Sequence, residues 1–357
     1  MIVDLSGFMF SGKSAVSDIL SEFENVYVPD KRVEFDLLRV GGGLIDLKNA
    51  VDDWSPVRSY SALRRFISIT EKLQRGVSFN ESFLNVGWRY NERFPDFKKN
   101  LDAFFEDLIE IEWRAEWPYN ELELDSLDLA LIRLNFFSKS RRVTVRSVSQ
   151  LLGLIFQKLI FRNYKPILQN NPERYILVSK DRFINAAQNL IYNLLWQGVD
   201  KNMFESVVVH NALEPFDPGK NIDLLGKNAK CIVVDRDPRD IYATSISFQH
   251  GFNDNVKFYK SIAGADDVYT FIKRYKTYRA NVKEDSRILR LNFSDLILNY
   301  EDVLKRLYDY LDINDKKHIN KGLFFSPVKS INNLNMWQNE KFKSKNSDFN
   351  KIADECI

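Results

Sequence analysis

The chain opens on a short apolar run, Ile2–Leu5, and five more follow it: Val26–Val28, Tyr175–Val178, Val207–Val209, Cys231–Val234 and Ile288–Leu291. Most are β-branched and nearly continuous instead of alternating. Strands covered on both faces have this composition, because neither face meets water. Helical spacings follow several of them, over Ser14–Phe23, Phe183–Trp196, Pro238–Phe248 and Tyr300–Leu311. Strand followed by helix, repeated, predicts right-handed crossovers and a mainly parallel central sheet. The expected fold is an α/β three-layer sandwich.

The middle of the chain reads differently. From about Val57 to Phe161 apolar residues recur near every 3.6 positions, and Ser61–Leu73, Phe97–Trp117, Leu122–Phe137 and Val145–Phe161 read as helices. Trp88, Trp113 and Trp117 lie in this block. It is expected to be a large helical insertion over residues 44–165 of a single domain spanning 1–357. Gly41-Gly42-Gly43 marks its start. A lid or acceptor-binding part and a purely structural helical layer are both compatible with the pattern. The polar tail, Glu340 to Ile357, is expected to be poorly ordered.

Composition narrows the chemistry. The 357 residues hold 51 Lys+Arg against 49 Asp+Glu, a net charge of +2, which argues against a dedicated nucleic-acid binder but permits a local basic pocket. Two cysteines, Cys231 and Cys356, build neither a disulfide framework nor a thiolate zinc site. Three histidines, His210, His250 and His318, argue against a His-rich metal centre, so a metal enzyme would have to use carboxylates. The most apolar stretch, Leu151–Phe161, contains Gln157 and Lys158 and is far short of the roughly 20 residues that span a bilayer. Met1–Ser6 lacks the basic start and long apolar core of a secretion signal. The expectation is a cytoplasmic protein without a membrane span.

Two stretches carry candidate chemistry. Gly7-Phe8-Met9-Phe10-Ser11-Gly12-Lys13-Ser14 is a full G-x-x-x-x-G-K-S match between a predicted strand and a predicted helix. Gly12 allows a tight turn in which successive N–H groups converge on an anion. The helix from about Ser14 adds its positive end. Lys13 supplies a cation and Ser14 a hydroxyl; Ser11 to Ala15 is expected to wrap a phosphate or similar oxyanion. The second stretch is Asp235-Arg236-Asp237-Pro238-Arg239-Asp240, then Thr244 and Ser245. Pro238 suits a helix's first turn and Asp237 its cap. Arg236 therefore falls at the carboxyl edge of the sheet, where α/β proteins bind ligands. Thr244 and Ser245 lie about 9–10 Å along the helix, within reach of the same anion as Arg236.

Arg-x-Pro-x-Asp followed by a helix hydroxyl resembles the 3′-phosphate motif of sulfotransferases that use 3′-phosphoadenosine 5′-phosphosulfate (PAPS). Ser11-Gly12-Lys13-Ser14 stands where that family has a 5′-phosphosulfate loop. Ile288–Leu296 and Leu304–Leu311 resemble its late strand and helix, and Ser330–Trp337 its loop that closes over the nucleotide and ends in Trp. The resemblance covers the first 25 residues and roughly 205–340, and not the helical middle. It implies a P-loop fold, PAPS as donor without a metal, a small-molecule or glycan acceptor, and nucleotide contacts from Ser11, Gly12, Lys13, Ser14, Ala15, Arg236, Thr244, Ser245 and Trp337. Two positions depart from the family. Phe10 stands where it usually has a cation, leaving Lys13 to contact the bridging oxygen, and Thr244 replaces a Ser.

Sulfuryl transfer to an alcohol needs a base. His210 ends the run Val207–Val209, and the family often has His or Glu in this region; its ordinary pKa of about 6.5 suits the task. It is the expected catalytic base beside Lys13, with Glu214 as the second candidate. Two other readings stay open. A P-loop kinase would use Mg-ATP, with Asp235 on the metal; a nucleotide-binding scaffold would have no chemistry, and Phe10 is its best support.

Overall fold

The computed structural model describes residues 1–29, 34–74, 89–94, 96–114, 172–176, 178–247 and 267–357. Among them, five strands form a parallel sheet: β1 (Ile2–Gly7), β2 (Val26–Tyr27), β5 (Ser206–His210), β6 (Lys230–Asp235) and β7 (Ile288–Asn292), in the order β2-β5-β1-β6-β7. The central β1 pairs Leu5 with His210 on one side and Gly7 with Val234 on the other. A second sheet is a two-stranded antiparallel ribbon, β3 (Ile109–Arg114) with β4 (Pro172–Ile176).

The helices are α1 (Lys13–Leu20), α2 (Leu44–Asp52), α3 (Pro56–Gln74), α4 (Tyr90–Arg93), α5 (Phe97–Leu108), α6 (Lys180–Leu195), α7 (Pro238–Ser247), α8 (Val268–Ala280), α9 (Asp295–Leu298), α10 (Tyr300–Leu311), α11 (Pro327–Ser330) and α12 (Asn346–Cys356). They cover both sheet faces. One core joins Val3, Leu5, Val208, Ile232 and Val234 to α1 and α10 through Val16, Ile19, Leu304 and Leu307. The other joins Val207, Val209, Cys231 and Val233 to α2, α3, α5 and α6 through Leu47, Phe66, Phe104 and Phe183. This is the three-layer α/β architecture that the apolar runs predict. The alternation along β5 and β6 sends neighbouring residues into opposite cores, as a pleated strand requires.

Three expectations change. The Tyr175–Val178 run does not join the main sheet; its residues through Ile176 end β4 of the ribbon. The helix expected over Phe97–Trp117 stops at Leu108, and Ile109–Arg114 is β3, because Ile-Glu-Ile-Glu alternates with the period of a strand. The tail is ordered: after a 3-10 stretch, α12 buries Phe349 and Ile352 against Tyr242 and Phe271. Two apolar side chains at i and i+3 on one helix face suffice to dock an otherwise polar segment. Leu122–Phe137, Val145–Phe161, Trp88, Trp117, Phe248 and His250 lie outside the described residues. Of the 44–165 block, α2, α3, α4 and α5 pack into the same core as α6, starting right after Gly43. Among the described residues, no helix is long and apolar enough to cross a membrane.

Candidate active site

The loop between β1 and α1 is bent by two left-handed residues, Phe10 (φ 63°) and Gly12 (φ 91°). Gly12 has no substitute, since a Cβ there would lie 2.4 Å from the Phe293 ring. Gly7 is equally constrained, with a Cβ falling 2.1 Å from Ser11 Oγ. Phe10 pays a strain of about 1–2 kcal/mol for a non-glycine in this region. Two contacts hold it: Arg236 Nη1 donates to the Phe10 carbonyl at 2.9 Å, and the ring joins the α7–α8–α12 cluster. Phe8 packs edge-on against Tyr275 with centroids 5.7 Å apart. Aromatic side chains thus fix a loop that the sequence shows only as Gly and Lys spacing. Ser11 Oγ is buried and has no hydrogen-bond partner among the described residues, a polar group of the kind an incoming anion would satisfy.

The loop floors a cavity of about 1000 Å³. Ser11, Gly12, Lys13, Ser14, Ala15, Arg236 and Thr244 all line it. Arg236 lies where its guanidinium ties three elements together. Besides Phe10 it reaches Thr244 Oγ1 at 3.5 Å, and its Nη2 donates to the Asn333 carbonyl at 2.5 Å. Its Nε lies 4.0 Å from Asp240, and the Phe293 ring packs below it. Burial is the main pull lowering its pKa, opposed by Asp240 and Asp237. Asp240 in turn accepts backbone N–H groups of Asn335 and Trp337, which staples the 330–337 loop to α7.

Two expected nucleotide residues fall elsewhere. Ser245 is buried with its Oγ donating to the Tyr242 carbonyl at 2.8 Å; one helix step from Thr244 turns it into the α7–α12 core. Trp337 lies under Arg239, its ring 4.3 Å from the guanidinium carbon, and packs at a tilt against Phe349, outside the cavity lining.

His210 also departs from its expected place. The register sets Leu5, not Gly7, opposite it, so it ends about two residues, or 6–7 Å, below the loop. Its side chain shares the face of Val208 and enters the α1 side, with Nε2 3.1 Å from Ser17 Oγ. It is 2% exposed and does not line the loop's cavity. Glu214 does line it.

The group that meets Lys13 is one the sequence reading did not single out. Lys13 Nζ lies 3.2 Å from Glu34 Oε1. Asn211 Nδ2 donates to the same oxygen at 2.5 Å, and Arg39 Nη2 lies 2.6 Å from Oε2. Burial pushes the Glu34 carboxyl up, but Lys13, Arg39 and these hydrogen bonds outweigh it and hold the group below the usual carboxylate range. Burial also lowers the Lys13 ammonium, with Glu34 opposing. Tyr90 of α4 fixes the backbone here: its hydroxyl donates to the Glu34 carbonyl at 3.1 Å and accepts from the Asp36 N–H at 2.7 Å. Asn211, at φ 53°, is held from beneath by Asp4. This buried carboxylate accepts the Ala212 N–H at 2.9 Å and the Ser6 hydroxyl at 2.7 Å. Ser6 Oγ also lies 2.9 Å from the Leu213 carbonyl, so its single proton is shared between two acceptors. Asp4 was visible as a carboxylate inside the apolar run Ile2–Leu5. Glu34 had no such signal, because nothing local links it to residues 13 and 211.

Residues 180–317 match the family model described as "Sulfotransferase family". Over that segment the chain is similar to the sulfotransferase family. The match takes in β5, β6, α7 and Arg236, and stops short of the phosphate loop. A solved structure of the sulfotransferase STF9 from Mycobacterium avium is similar at 13% identity with a TM-score of 0.32, over 90% of this chain and 66% of that one. None of the curated proteins matches the sequence.

Proposed function

We propose that this protein moves a sulfuryl group from PAPS to a hydroxyl of a small-molecule or glycan acceptor, with Glu34 as general base. The observation that carries the reading is the phosphate loop and Arg236 opening on one cavity, with the Lys13–Glu34 pair at its floor. The loop amides, Ser11 and Lys13 would hold the 5′-phosphosulfate. Arg236 and Thr244 would hold the 3′-phosphate, where charge-assisted contacts have most value. Glu34, ionised at neutral pH, would take the acceptor's proton as the new oxygen–sulfur bond forms. The sulfur–oxygen bond to the nucleotide then breaks, and its electron pair stays on the phosphate oxygen beside the Lys13 ammonium. Arrangement of in-line partners supplies most of such a rate. In this reading His210 braces α1 through Ser17 and is not the base. A cytoplasmic place of action belongs to the same proposal.

One observation bears on the kinase alternative. That reading needs Asp235 for a metal. Here the Asp235 carboxylate accepts from the Tyr278 hydroxyl at 3.0 Å and lies 3.1 Å from Arg279 and 3.5 Å from Arg290. It is spent on structural ion pairs. The test is ligand selectivity followed by turnover. Adenosine 3′,5′-bisphosphate should raise the melting temperature without magnesium, and labelled PAPS should label an acceptor in a screen of alcohols and glycans. Stabilisation by ATP only with magnesium would overturn the proposal.

A further inference from the structure

The segment following α10 shows water much apolar surface. Val328 is 81% exposed, Leu323 65%, Phe324 55% and Ile331 52%. Leu298 joins them, because α9 packs against α11. These side chains are not on slack chain. The Glu22 carboxylate, fully buried, accepts the N–H groups of Phe324 and Phe325 at 2.9 and 2.8 Å and pairs with His318 Nε2 at 2.7 Å. His318 is fixed further by Tyr308 and stacks on Phe23. Phe325 is thereby turned inward to line the cavity, while Leu323 and Phe324 are turned out. The outward display is built on a fixed base, and several exposed apolar side chains on one such segment call for an explanation that single ones do not.

Charge says what covers it. Residues 316–339 contain Lys316, Lys317, Lys321 and Lys329 and no acidic residue. From neighbouring elements, Glu24 pairs with Lys317 and Glu301 with Lys321, while Lys316 and Lys329 have no ion-pair partner among the described residues. A protein-binding hot spot is rich in Trp, Tyr and Arg and poor in Lys. This patch has no Trp, Tyr or Arg and sets Leu, Ile, Val and one Phe beside lysines. A second copy of the chain would bring like charges together. Apolar tips that enter the acyl boundary, flanked by lysines that meet anionic headgroups, fit a bilayer.

We propose that the Leu323–Ile331 face docks this protein peripherally on an anionic lipid bilayer. Cavity wall and bilayer face are then two sides of one segment, since Ser330 and Asn333 line the cavity from within. The bilayer contact itself does not rest on the proposed activity.

The test is sedimentation of the full chain, without nucleotide, with vesicles of phosphatidylcholine alone or with roughly a third phosphatidylserine. Wild type should partition at least about tenfold more strongly onto the anionic vesicles, and salt should release it. Val328→Glu should abolish binding and Lys329→Glu should weaken it more than about fivefold, with melting temperatures unchanged. Met203→Glu, at an exposed apolar site elsewhere, should bind as wild type does. Absence of wild-type partitioning, or equal partitioning of Val328→Glu, overturns the proposal. So does a wild-type dimer by light scattering that Val328→Glu dissolves, which would assign the face to a second copy. Loss of vesicle binding with nucleotide binding intact separates this result from a failure of the sulfotransferase reading.

Discussion

The cavity has two halves that were built in different ways. The proposed donor half is one continuous stretch of chain, β1 to α1, plus one strand end carrying Arg236. The proposed acceptor half takes Glu34 and Arg39 from one segment and Asn211 from just after β5, and Tyr90 of α4 braces the Glu34 backbone from outside the cavity lining. The first is a local device. Gly7 to Lys13 and the start of α1 are contiguous in the chain, so glycine and lysine spacing suffices to specify the loop. The second exists only after the sheet has set its register and the helical layer has closed over it. The difference teaches that the proposed anion site can be read residue by residue, whereas the proposed proton-transfer partner, Glu34, is a product of tertiary packing.

The sharpest way to break this comparison is to remove the carboxylate. Glu34→Gln should cut turnover by about 10²–10⁴-fold, the scale of a lost general base, and leave the affinity for adenosine 3′,5′-bisphosphate close to wild type. His210→Gln should change turnover far less while lowering thermal stability, because its contact is with Ser17 in the core. Steady-state rates of the two variants beside nucleotide affinities decide the matter. If His210→Gln shows the larger loss in rate with full stability, the base is not Glu34.

Lys13→Ala comes close behind, since its charge matters most as the leaving oxygen becomes negative. Turnover should fall more than nucleotide affinity does. The pH profile sharpens the point. Glu34 must be ionised, and Lys13, Arg39 and Asn211 keep its pKa below the usual range. The rate should therefore be flat through ordinary carboxylate pKa values and fall only at lower pH. Lys13 must be charged, and burial lowers its pKa, so the alkaline limb should begin below the normal lysine range. In Glu34→Gln the acidic limb should vanish. The alkaline limb should move to lower pH, because the carboxylate that opposes the burial of Lys13 is gone. An unmoved alkaline limb would uncouple the two groups.

Arg236→Ala tests the donor half by selectivity. Loss of a charge-assisted contact should weaken adenosine 3′,5′-bisphosphate by about 1.5–3 kcal/mol and hardly affect a ligand without the 3′-phosphate. Calorimetry with both ligands reads the difference. Equal losses would mean that Arg236 acts through the strained Phe10 carbonyl and the 330–337 loop, both of which it also holds.

Much of the fold was legible because apolar runs and helix periods act locally. β1, β5, β6, β7, α1, α6, α7 and α10 lie where the pattern puts them, to within a few residues. What failed did so for physical reasons. Ile109–Arg114 follows a helix without a break in composition, so only its alternation marks the strand. Phe349 and Ile352 are two apolar residues in a charged tail, below any periodic signal, and they dock because Tyr242 and Phe271 offer a surface. His210 had the right chemistry and the right strand, but the register of β5 against β1 stops it short of the loop and turns it toward α1. Register is a property of two strands, and one strand's sequence does not contain it.

The smallest effect lies in one helix step. Thr244 and Ser245 are adjacent hydroxyls, equal candidates by spacing, yet about 100° of helical rotation separates them. Thr244 lines the cavity, its Oγ1 bonded to the Asp240 carbonyl at 2.7 Å and near Arg236. Ser245 Oγ points into the core, with its one bond to Tyr242. Thr244→Val keeps the shape and removes the hydroxyl. It should weaken adenosine 3′,5′-bisphosphate by about 0.5–1.5 kcal/mol with little change in melting temperature. Ser245→Ala should do the reverse, costing a similar amount of stability and leaving nucleotide affinity alone. Paired melting curves and titrations give four numbers from two variants. A pattern with the roles exchanged would mean that α7 rotates when the nucleotide binds, and the donor half would then be no more preformed than the acceptor half.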